Sequence, residues 1–414
     1  MGTHDVLPPE SARWQALIAA FAEQVGRAGY GLVQSPMFED VSVFARVGEG
    51  TDVVRKEMYD FVDKGERHLA LRPEGTASIA RAFVQHRPTT PWKVWYAAPS
   101  FRYERPQAGR YRQHHQLGLE AIGSDDPDLD VEVIATLHDL YRSIGLAQVT
   151  LLVNSMGTAD DRRRYLDDVQ QWLRGRAGDL DPADAEKIEA HPMRVLDSKR
   201  PITIAAIADV PRITDRLSDA AAARFERVRA GLDAVGIAHT IEPRLVRGLD
   251  YYTHTTFEFV SGALDAAQST IGGGGRYDGL VEALGGPATP GIGFGTGIER
   301  VLLACDAEGV FPAVATAVAV YVVDTTGGER ARDLVTELRR AGVSADRAYD
   351  SRSMKSQMKS ADRSGAALVL IVGDDEAAAG TVVLRDLRSD APQQTIERVA
   401  AIATIVERLS EDRP

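Results

Sequence analysis

The sequence has 414 residues, too many for one ordinary hydrophobic core, so it indicates two or three domains. Its 44% apolar and 26% charged residues are typical of a globular protein, and its net charge of −12 excludes a general nucleic-acid coat. A single cysteine excludes a disulfide framework. The start of the chain lacks signal-peptide features and no apolar run is long enough for a membrane, so we expect a cytoplasmic protein with no membrane partner.

The first hundred residues predict helices and strands in alternation. Apolar spacing indicates a helix over 10–28, and a strand then leads into a loop at Pro36. A short strand over 68–72 ends at the block RPEGT, after which another helix begins. Glu74 and Thr76 lie at its start, where free backbone N–H groups meet side-chain oxygens. The plainest interpretation of both residues is that they cap this helix.

The stretch FRYERPQAGRYRQHHQLGLE, residues 101–120, predicts an antiparallel hairpin with a basic loop. On its return strand, alternation places Gln116 and Glu120 on one face with Gly118 between them. That face suits a small polar ligand, and Arg102 can bind a phosphate through paired hydrogen bonds. The alternative is a polar surface hairpin whose charges are only solvated.

The middle of the chain contains a helical region and a glycine-rich strand. A strand at VTLLVN precedes 160–237, where charged, alanine-rich helical spacing predicts an insertion, and strand character returns at 245–260. Alternating glycines over 291–297 predict a strand with one bare face, which a flat ligand or another backbone could approach. Arg300 follows in the first turn of a helix. No dinucleotide or P-loop fingerprint fits these glycines.

The last hundred residues alternate strand and helix patterns, which predicts a small α/β domain. Helices are expected over 328–341, 352–363 and 395–409. The second of these carries a basic stripe, which is usually solvated but also suits a helix that follows nucleic-acid phosphates. The stripe consists of Arg352, Lys355, Lys359 and Arg363.

Taken in order, five blocks resemble the histidyl-tRNA synthetase family, a class II aminoacyl-tRNA synthetase family. They are RPEGT, the hairpin, LVRGLDYYT, GGGGRYDGL and GFGTGIER, and MRVLDSK and MKSQMKSADRSGA extend the resemblance over nearly the whole chain. RGLDYY is the most specific block.

The resemblance implies an α+β class II core, an antiparallel sheet flanked by helices. It assigns the core to residues 1–159 and 238–312, a helical insertion to 160–237 and an α/β anticodon-binding domain to 313–414. It also implies a homodimer with Pro36 at the interface.

The resemblance further implies a histidine–tRNA ligase. L-Histidine and ATP would give histidyl-adenylate and pyrophosphate, and the histidyl group would pass to the 3′ end of tRNA(His). Arg102 and Arg247 would hold the α-phosphate from two sides and Arg300 the γ-phosphate, with Mg²⁺ on the ATP phosphates and no metal ligand expected from the protein. Losing one such donor typically lowers the rate about 10²–10³-fold.

The resemblance also assigns the binding residues. Glu120 and Tyr252 would bond the two imidazole nitrogens of histidine. Histidine would be bound by Glu74, Thr76, Gln116, Glu120, Tyr251, Tyr252 and Tyr277. ATP would be bound by Arg102, Arg110, Tyr111, His114 and Arg300. tRNA would be bound by Arg105, Gln107, Lys355 and Lys359.

One position departs from the family pattern. His114 stands where the family usually has a phenylalanine that stacks on adenine. An ordinary histidine titrates near about pH 6, so we expect protonation of His114 to weaken ATP binding in mild acid.

Three other functions compete with this interpretation. The regulatory subunit of ATP phosphoribosyltransferase shares the core, but it normally lacks the C-terminal domain and has a degraded RGLDYY block. A tRNA-binding module with an inactive core would have lost phosphate-binding arginines, and none is missing here. A metal enzyme is not supported, because no H-x-x-x-H or H-E-x-x-H spacing occurs.

Overall fold

The computed structural model describes residues 2–48, 53–196, 198, 200–245, 247–249, 251–265, 268–312, 318–349, 352–389 and 391–411. Of the sequence blocks quoted above, Asp197, Lys199, Val246 and Asp250 lie outside these residues. The chain forms two compact units, Met1–Pro312 and Ala313–Pro414. No helix among the described residues is both long and apolar enough to cross a membrane.

The helices and strands are numbered in chain order. The strands are β1 (Gly31–Leu32), β2 (Phe38–Asp40), β3 (Tyr59–Val62), β4 (His68–Leu71), β5 (Trp92–Phe101), β6 (Gln113–Ile122), β7 (Val149–Ser155), β8 (His239–Ile241), β9 (Thr253–Ser261), β10 (Thr270–Arg276), β11 (Gly291–Gly297), β12 (Val320–Asp324), β13 (Ala345–Arg347), β14 (Leu368–Val372), β15 (Thr381–Asp386) and β16 (Gln394–Glu397). The helices are α1 (Glu10–Arg27), α2 (Ser42–Gly48), α3 (Thr76–His86), α4 (Pro127–Ser143), α5 (Ala159–Arg174), α6 (Pro182–Ala185), α7 (Pro192–Leu196), α8 (Pro201–Ala206), α9 (Asp219–Ala234), α10 (Leu280–Ala283), α11 (Ile298–Glu308), α12 (Glu329–Arg340), α13 (Met354–Ser364), α14 (Asp374–Ala379) and α15 (Ala401–Glu411).

The first unit is built on an eight-stranded sheet with the strand order β1-β5-β6-β11-β10-β9-β7-β8. The six central strands pair antiparallel, as expected. The two edge strands, β1 and β8, instead pair parallel with β5 and β7, so the sheet is mixed at its edges. The strands β2, β4 and β3 form a separate small sheet in the order β2-β4-β3.

One face of the large sheet is a continuous apolar core. Leu117, Leu119 and Ala121 alternate along β6 toward this face and are fully buried. Helices α1, α4 and α11 cover it with their own apolar stripes. Because side chains alternate along a strand, the residues between these three point to the opposite face. That opposite face carries the polar side chains Gln116 and Glu120.

The opposite face is covered at one end only. Helix α3 packs there through Ile79 and Phe83 against Val94 and Ile122 of the sheet. Toward the other end, near Gln116 and Gly297, the face lines a cavity. Packing therefore leaves a polar recess open on the sheet beside a buried apolar wall.

Among the described residues between β7 and β8, every secondary-structure element is a helix, from α5 to α9, and turns or irregular segments join them. Helices α5 and α7 share a separate apolar cluster that includes Tyr165, Val169 and Val195. The carboxylate of Asp184 holds the short helices together by accepting from the Thr203 hydroxyl at 2.8 Å and from Lys187 and Arg200. Helix α9 instead packs against α4 of the core.

The second unit is a five-stranded sheet with the order β13-β12-β14-β15-β16. The pairings of β12 with β13 and β14 are parallel, those of β15 with β14 and β16 are antiparallel, and helices pack on the sheet. The prediction of a helix over 395–409 is wrong for its first residues. Residues Gln394–Glu397 pair with β15 as an edge strand, because Ile396 joins the apolar cluster around Val382, and the helix begins only at Ala401.

A second correction concerns the strand expected over 245–260. Of the described residues in this stretch, those in the sheet begin at Thr253, and the strand is Thr253–Ser261. Arg247, Gly248 and Leu249 instead line the cavity above the sheet. Arg247 is held there by an ion pair with Glu258 of β9, which removes its segment from the strand ladder.

Candidate active site

The polar face of the sheet is set by the pairing of β6 with β11. Glu120 lies opposite Gly293, Gly118 opposite Gly295, and Gln116 opposite Gly297. The predicted strand over 291–297 and the shared face of Gln116 and Glu120 are therefore confirmed. Directly opposed residues share a face, so the side chains of Gln116 and Glu120 both lie opposite glycines across the ladder.

The glycines on this face do not leave it bare, contrary to the sequence-based expectation. The ring of Tyr96, which lies opposite Gly118 on β5, occupies the space that a Cβ of Gly118 would need. The carboxylate of Glu120 does the same at Gly293, and the ring of Tyr277 at Gly291. A Cβ on Gly297 would meet no atom within 4 Å. The face is therefore filled by the protein's own side chains at one end and open at the other.

Glu120 is the centre of a buried hydrogen-bond cluster. Its carboxylate accepts from the Thr76 hydroxyl at 2.7 Å, the Tyr277 hydroxyl at 2.6 Å and the Tyr96 hydroxyl at 3.5 Å. Burial raises the pKa of Glu120 to about 8, although the hydrogen bonds from Tyr277 and Thr76 oppose the rise. A carboxyl group that titrates near neutral pH can exchange a hydrogen bond with an imidazole in either protonation state.

Glu74 and Thr76 were both expected to cap α3, but only the Glu74 side chain does so. The Glu74 carboxylate accepts from the backbone N–H groups of Thr76 at 2.6 Å and Ala77 at 2.8 Å, so it does cap α3. The Thr76 hydroxyl donates to Glu120 instead, so capping is the wrong interpretation for that side chain. Burial raises the pKa of Glu74, while the backbone N–H groups of Ala77 and Thr76 oppose the rise.

A cavity of about 390 Å³ lies over the open end of the sheet face. Four arginines from separate elements line it: Arg102 after β5, Arg110 in the hairpin loop, Arg247 before β9 and Arg300 in α11. Burial lowers the pKa of Arg102, and the Arg247 charge adds to the effect. Burial and the charges of Arg110 and Arg102 likewise lower the pKa of Arg300. Cations that disfavour one another's charge make a strong site for an anion.

Hydrogen bonds fix two of these arginines without using all their donors. Arg102 donates through Nε to the Pro73 carbonyl at 2.8 Å. Arg300 donates through Nε to the Gly109 carbonyl at 3.0 Å and through Nη1 to the Thr270 carbonyl at 2.9 Å. A guanidinium has five N–H donors, so each anchored group retains capacity to bind oxyanions.

Arg247 is the most firmly compensated of the four. Burial opposes its charge, but the neighbouring Tyr252 and Glu258 raise its pKa above the ordinary value. Its Nη1 pairs with the Glu258 carboxylate. The pair holds a cation against the cavity wall at a fixed position.

Three carboxylates of the cavity wall were missed by the sequence-based reasoning. Glu104 pairs with Arg110, and Glu258 pairs with Arg247. Glu299 accepts from the His115 backbone N–H at 2.9 and 3.1 Å. Strand alternation in FEF, residues 257–259, was a usable signal for Glu258, since its apolar neighbours face the core. Tyr96 was also missed, because only strand pairing reveals that it lies opposite Gly118.

His114 lines the cavity, but its predicted acid titration is wrong. Burial lowers the pKa of His114 to about 3, and the charges of Arg102 and Arg300 lower it further. The imidazole therefore remains neutral at pH 6. It differs from phenylalanine at that pH through its ring nitrogens, not through a charge.

The structure divides the predicted ligand-binding residues into two adjoining groups. One group lines the cavity: Arg102, Arg110, Tyr111, His114, Gln116, Arg247, Tyr252 and Arg300. The other lies among the buried side chains around Glu120: Glu74, Thr76, Glu120, Tyr251 and Tyr277. The rings of Tyr251 and Tyr252 join the groups, with centroids 4.7 Å apart.

The predicted tRNA-binding residues lie outside both groups. Arg105 and Gln107 are exposed in the hairpin loop and are not part of the cavity wall. Lys355 and Lys359 are exposed on α13 of the second unit. Among the described residues, no cluster of three or more His, Cys, Asp or Glu side chains could hold a metal ion.

An antiparallel sheet with an arginine hairpin, a glycine strand and an arginine in the following helix defines a class II aminoacyl-tRNA synthetase core. The model of the histidyl-tRNA synthetase family matches residues 2–301, and that of the anticodon binding domain matches 317–408. The chain belongs to the histidyl-tRNA synthetase family and is an aminoacyl-tRNA ligase.

Individual relatives agree over the full length. The histidine–tRNA ligase of Mycolicibacterium vanbaalenii is 48% identical over 415 residues, covering 99% of this chain and 97% of that protein. The histidine–tRNA ligase of Geobacillus thermodenitrificans is 44% identical over 422 residues, covering 99% and 98%.

Solved structures have the same fold. Apo histidyl-tRNA synthetase of S. aureus has a TM-score of 0.82 and 36% identity, covering 98% of each chain. A Bacillus halodurans protein described as an ATP phosphoribosyltransferase regulatory subunit/histidyl-tRNA synthetase has a TM-score of 0.61 at 21% identity, covering 84% of this chain and 91% of that one. At that identity the second likeness concerns the fold alone.

Proposed function

We propose that the chain ligates L-histidine to tRNA(His) in two steps. ATP and histidine first give histidyl-adenylate and pyrophosphate, and the histidyl group then moves to the 3′-terminal ribose of the tRNA. One observation carries this proposal: a cavity lined by four arginines adjoins a buried cluster around Glu120. The first part suits a triphosphate, and the second suits a small side chain with two ring nitrogens.

The arginines would act on the phosphates. In the first step the histidine carboxylate oxygen attacks the α-phosphorus, and the bond to the bridging oxygen of pyrophosphate breaks. Arg102 and Arg247 would stabilise the charge on the α-phosphate, and Arg300 would hold the γ-phosphate. Phosphoryl transfer depends mainly on positioning and on cations, which is what this cavity supplies. Arg110 would contact the outer phosphates from the hairpin loop.

The buried cluster would bind histidine. Glu120 and Tyr252 would bond the two imidazole nitrogens, while Gln116, Glu74 and Thr76 would hold the α-amino group. The remaining two tyrosines, Tyr251 and Tyr277, would shape the pocket. A site that hydrogen-bonds both ring nitrogens leaves buried polar groups unpaired when another amino acid enters, which can reject it by about 10⁴–10⁵.

ATP is a substrate in this proposal, and Mg²⁺ accompanies its phosphates. The carboxylates of Glu104 and Glu258 are already paired with Arg110 and Arg247. The phosphate oxygens would therefore be the main ligands of the ion, which neutralises part of their charge. Tyr111 and His114 would contact the nucleoside part.

The other partners follow from the two units. We propose that residues 160–237 act as an insertion that contacts the tRNA acceptor arm, with residues 1–159 and 238–312 as the catalytic core. Arg105 and Gln107 would face the extra 5′ guanylate. The domain from 313 to 414 would bind the anticodon through the face that carries Lys355 and Lys359. The protein would act in the cytoplasm.

A homodimer is also proposed. Pro36 is exposed, and Met37, Phe38 and Phe61 are 52%, 53% and 43% exposed. The Phe38 and Phe61 rings contact each other with centroids 6.4 Å apart, so these two side chains make one apolar patch. Contiguous exposed apolar surface of this kind suits a protein interface. Light scattering should give twice the chain mass, and Phe38→Glu should give the monomer.

Pyrophosphate exchange with the purified protein, without tRNA, tests the main proposal. Exchange should require histidine and fail with the other standard amino acids. Glu120→Ala should lose exchange, whereas Glu407→Ala, at an exposed site of the second unit, should keep it. Absence of exchange with every amino acid would contradict the proposal. Binding to ATP phosphoribosyltransferase would then be measured, because a regulatory subunit shares the core.

A further inference from the structure

The N-terminal segment, residues 2–7, lies against the hairpin loop. The Gly2 carbonyl accepts from the Arg112 backbone N–H at 2.8 Å, while the Arg112 carbonyl accepts from the Arg102 N–H at 2.9 Å. The backbone at residue 112 is therefore held between the opposite hairpin strand and the N-terminal segment. Contact is close, since a Cβ on Gly2 would lie 2.9 Å from carbons of Arg112 and Pro106.

A side-chain contact adds to this backbone bond. The rings of His4 and Tyr111 lie 4.4 Å apart at 44°. Tyr111 lines the arginine cavity and also a second cavity of about 220 Å³, whose walls include His4, Trp14 and Leu302. Tyr111 thus stands between the two cavities, with His4 against its ring.

We infer that the N-terminal segment positions the nucleotide side of the active site, with His4 holding the ring of Tyr111 and Gly2 holding the backbone of Arg112. His4 is a positioning residue, because it acts through Tyr111 and does not line the arginine cavity itself. This inference rests on the proposed function, in which Tyr111 contacts ATP. Losing the ring contact frees Tyr111 to move into the second cavity.

The test compares His4→Ala with His4→Phe in histidine-dependent pyrophosphate exchange. An aromatic pair contributes enough that His4→Ala should raise the KM for ATP about three- to tenfold. The KM for histidine should stay within about twofold, since the Glu120 cluster is not altered. His4→Phe should restore the KM for ATP because it keeps a ring against Tyr111. His86→Ala, at an exposed position on α3, is the matched control and should change neither constant.

A second variant tests the backbone contact. Gly2 has φ +84, so Gly2→Ala is strained there and would press on Arg112 and Pro106. It should raise the KM for ATP in the same direction as His4→Ala, with a melting temperature close to that of the unaltered chain.

The outcomes separate this inference from the proposed function. No exchange by the unaltered chain would contradict the proposed function. Exchange by the unaltered chain with an unchanged KM for ATP in both His4→Ala and Gly2→Ala would overturn the inference alone. An equal rise in both KM values, or no rescue by His4→Phe, would also overturn it, because a general loss of structure would have that effect.

Discussion

The Thr76 hydroxyl donates to the Glu120 carboxylate across 2.7 Å, joining the first residue of α3 to the middle of β6. Both residues are buried, and Glu120 is not exposed at all. Tyr277 binds the other carboxylate oxygen at 2.6 Å. The two hydroxyls therefore fix the orientation of Glu120 before any ligand arrives, which lowers the cost of ordering it on binding.

Glu120→Gln should stabilise the unliganded protein in a pH-dependent way. The fold raises the pKa of Glu120 to about 8, so above its ordinary value of 4.5 the unfolded chain has lost a proton that the folded protein keeps. The contribution of Glu120 to the free energy of unfolding is therefore fully present below about pH 4.5, and it is lost as the pH rises to about 8. The melting temperature of Glu120→Gln should gain on that of the unaltered protein between pH 5 and 8.

The same substitution should weaken histidine binding. The amide of Glu120→Gln cannot carry the charge of a carboxylate, so the KM for histidine should rise. Glu407→Gln, at an exposed position on α15, is the control for the melting curves. A difference in melting temperature that does not vary with pH would show that Glu120 does not titrate in this range.

The glycines of β11 predict a contrast between two alanine substitutions on one strand face. At Gly293 a Cβ would overlap the Glu120 carboxylate and lie against the Leu119 carbonyl, and neither can move freely. Gly293→Ala should therefore destabilise the fold, by about 1–3 kcal/mol as overpacking does, and raise the KM for histidine. Gly297→Ala meets no atom within 4 Å and should melt with the unaltered protein.

Gly297 does line the arginine cavity, so its substitution should raise the KM for ATP instead. Melting curves and the two KM values measured side by side would check the contrast. Equal melting temperatures for both variants would mean that Glu120 can leave the space over Gly293.

The sequence reveals most of the secondary structure because apolar spacing records which face is buried. Helix α1 follows directly from that spacing. The hairpin strands follow from the turn residues between them and from alternation, and β11 follows from its alternating glycines. Local patterns do not show which strands pair, so the position of Tyr96 opposite Gly118 could not be predicted. Strand alternation could show only which face of its strand carries Glu258, not what that face lies against. Tyr96 and Glu258 lie on the site face only because β5 pairs with β6 and β9 with β10.

Local sequence patterns also do not show which charges surround a titratable side chain in the folded protein. An isolated histidine titrates near neutral pH, but His114 is packed beside Arg102 and Arg300. The edge strand β16 has a related explanation. Its residues were expected to begin the helix over 395–409, but they pair with β15 instead. In both cases residues distant in sequence decide the outcome.

His114→Phe should leave the pH dependence of the KM for ATP unchanged between about pH 5.5 and 7.5. Burial lowers the pKa of His114 to about 3, so its charge is constant over that range. Stability should differ between the two proteins in acid. The unfolded chain takes up a proton near the ordinary value of 6.5, so His114 lowers stability as the pH falls from about 6.5 to about 3.

Melting temperatures of both proteins across that acid range, together with KM values, would check this expectation. The phenylalanine variant should gain stability relative to the unaltered protein as the pH falls. A KM for ATP that rises in mild acid only in the unaltered protein would restore the original expectation of a titrating His114.

Arg276 and Asp130 form an ion pair that ties β10 to α4 beneath the site, and both side chains are fully buried. Arg276 donates to Asp130 Oδ1 through Nε at 2.9 Å and Nη2 at 2.6 Å, and Thr255 donates to Oδ2 at 2.7 Å. Arg276→Met leaves the Asp130 carboxylate buried without its cation and should cost roughly 3–5 kcal/mol of stability.

The double variant Arg276→Met/Asp130→Leu removes that uncompensated charge, so it should unfold at a higher denaturant concentration than Arg276→Met alone. Denaturant unfolding would compare the free energies of unfolding of the unaltered protein, the single variant and the double variant. Equal stability of the single and double variants would mean that the charge of Asp130 is compensated from elsewhere, with Arg224, 3.9 Å away, as the nearest candidate.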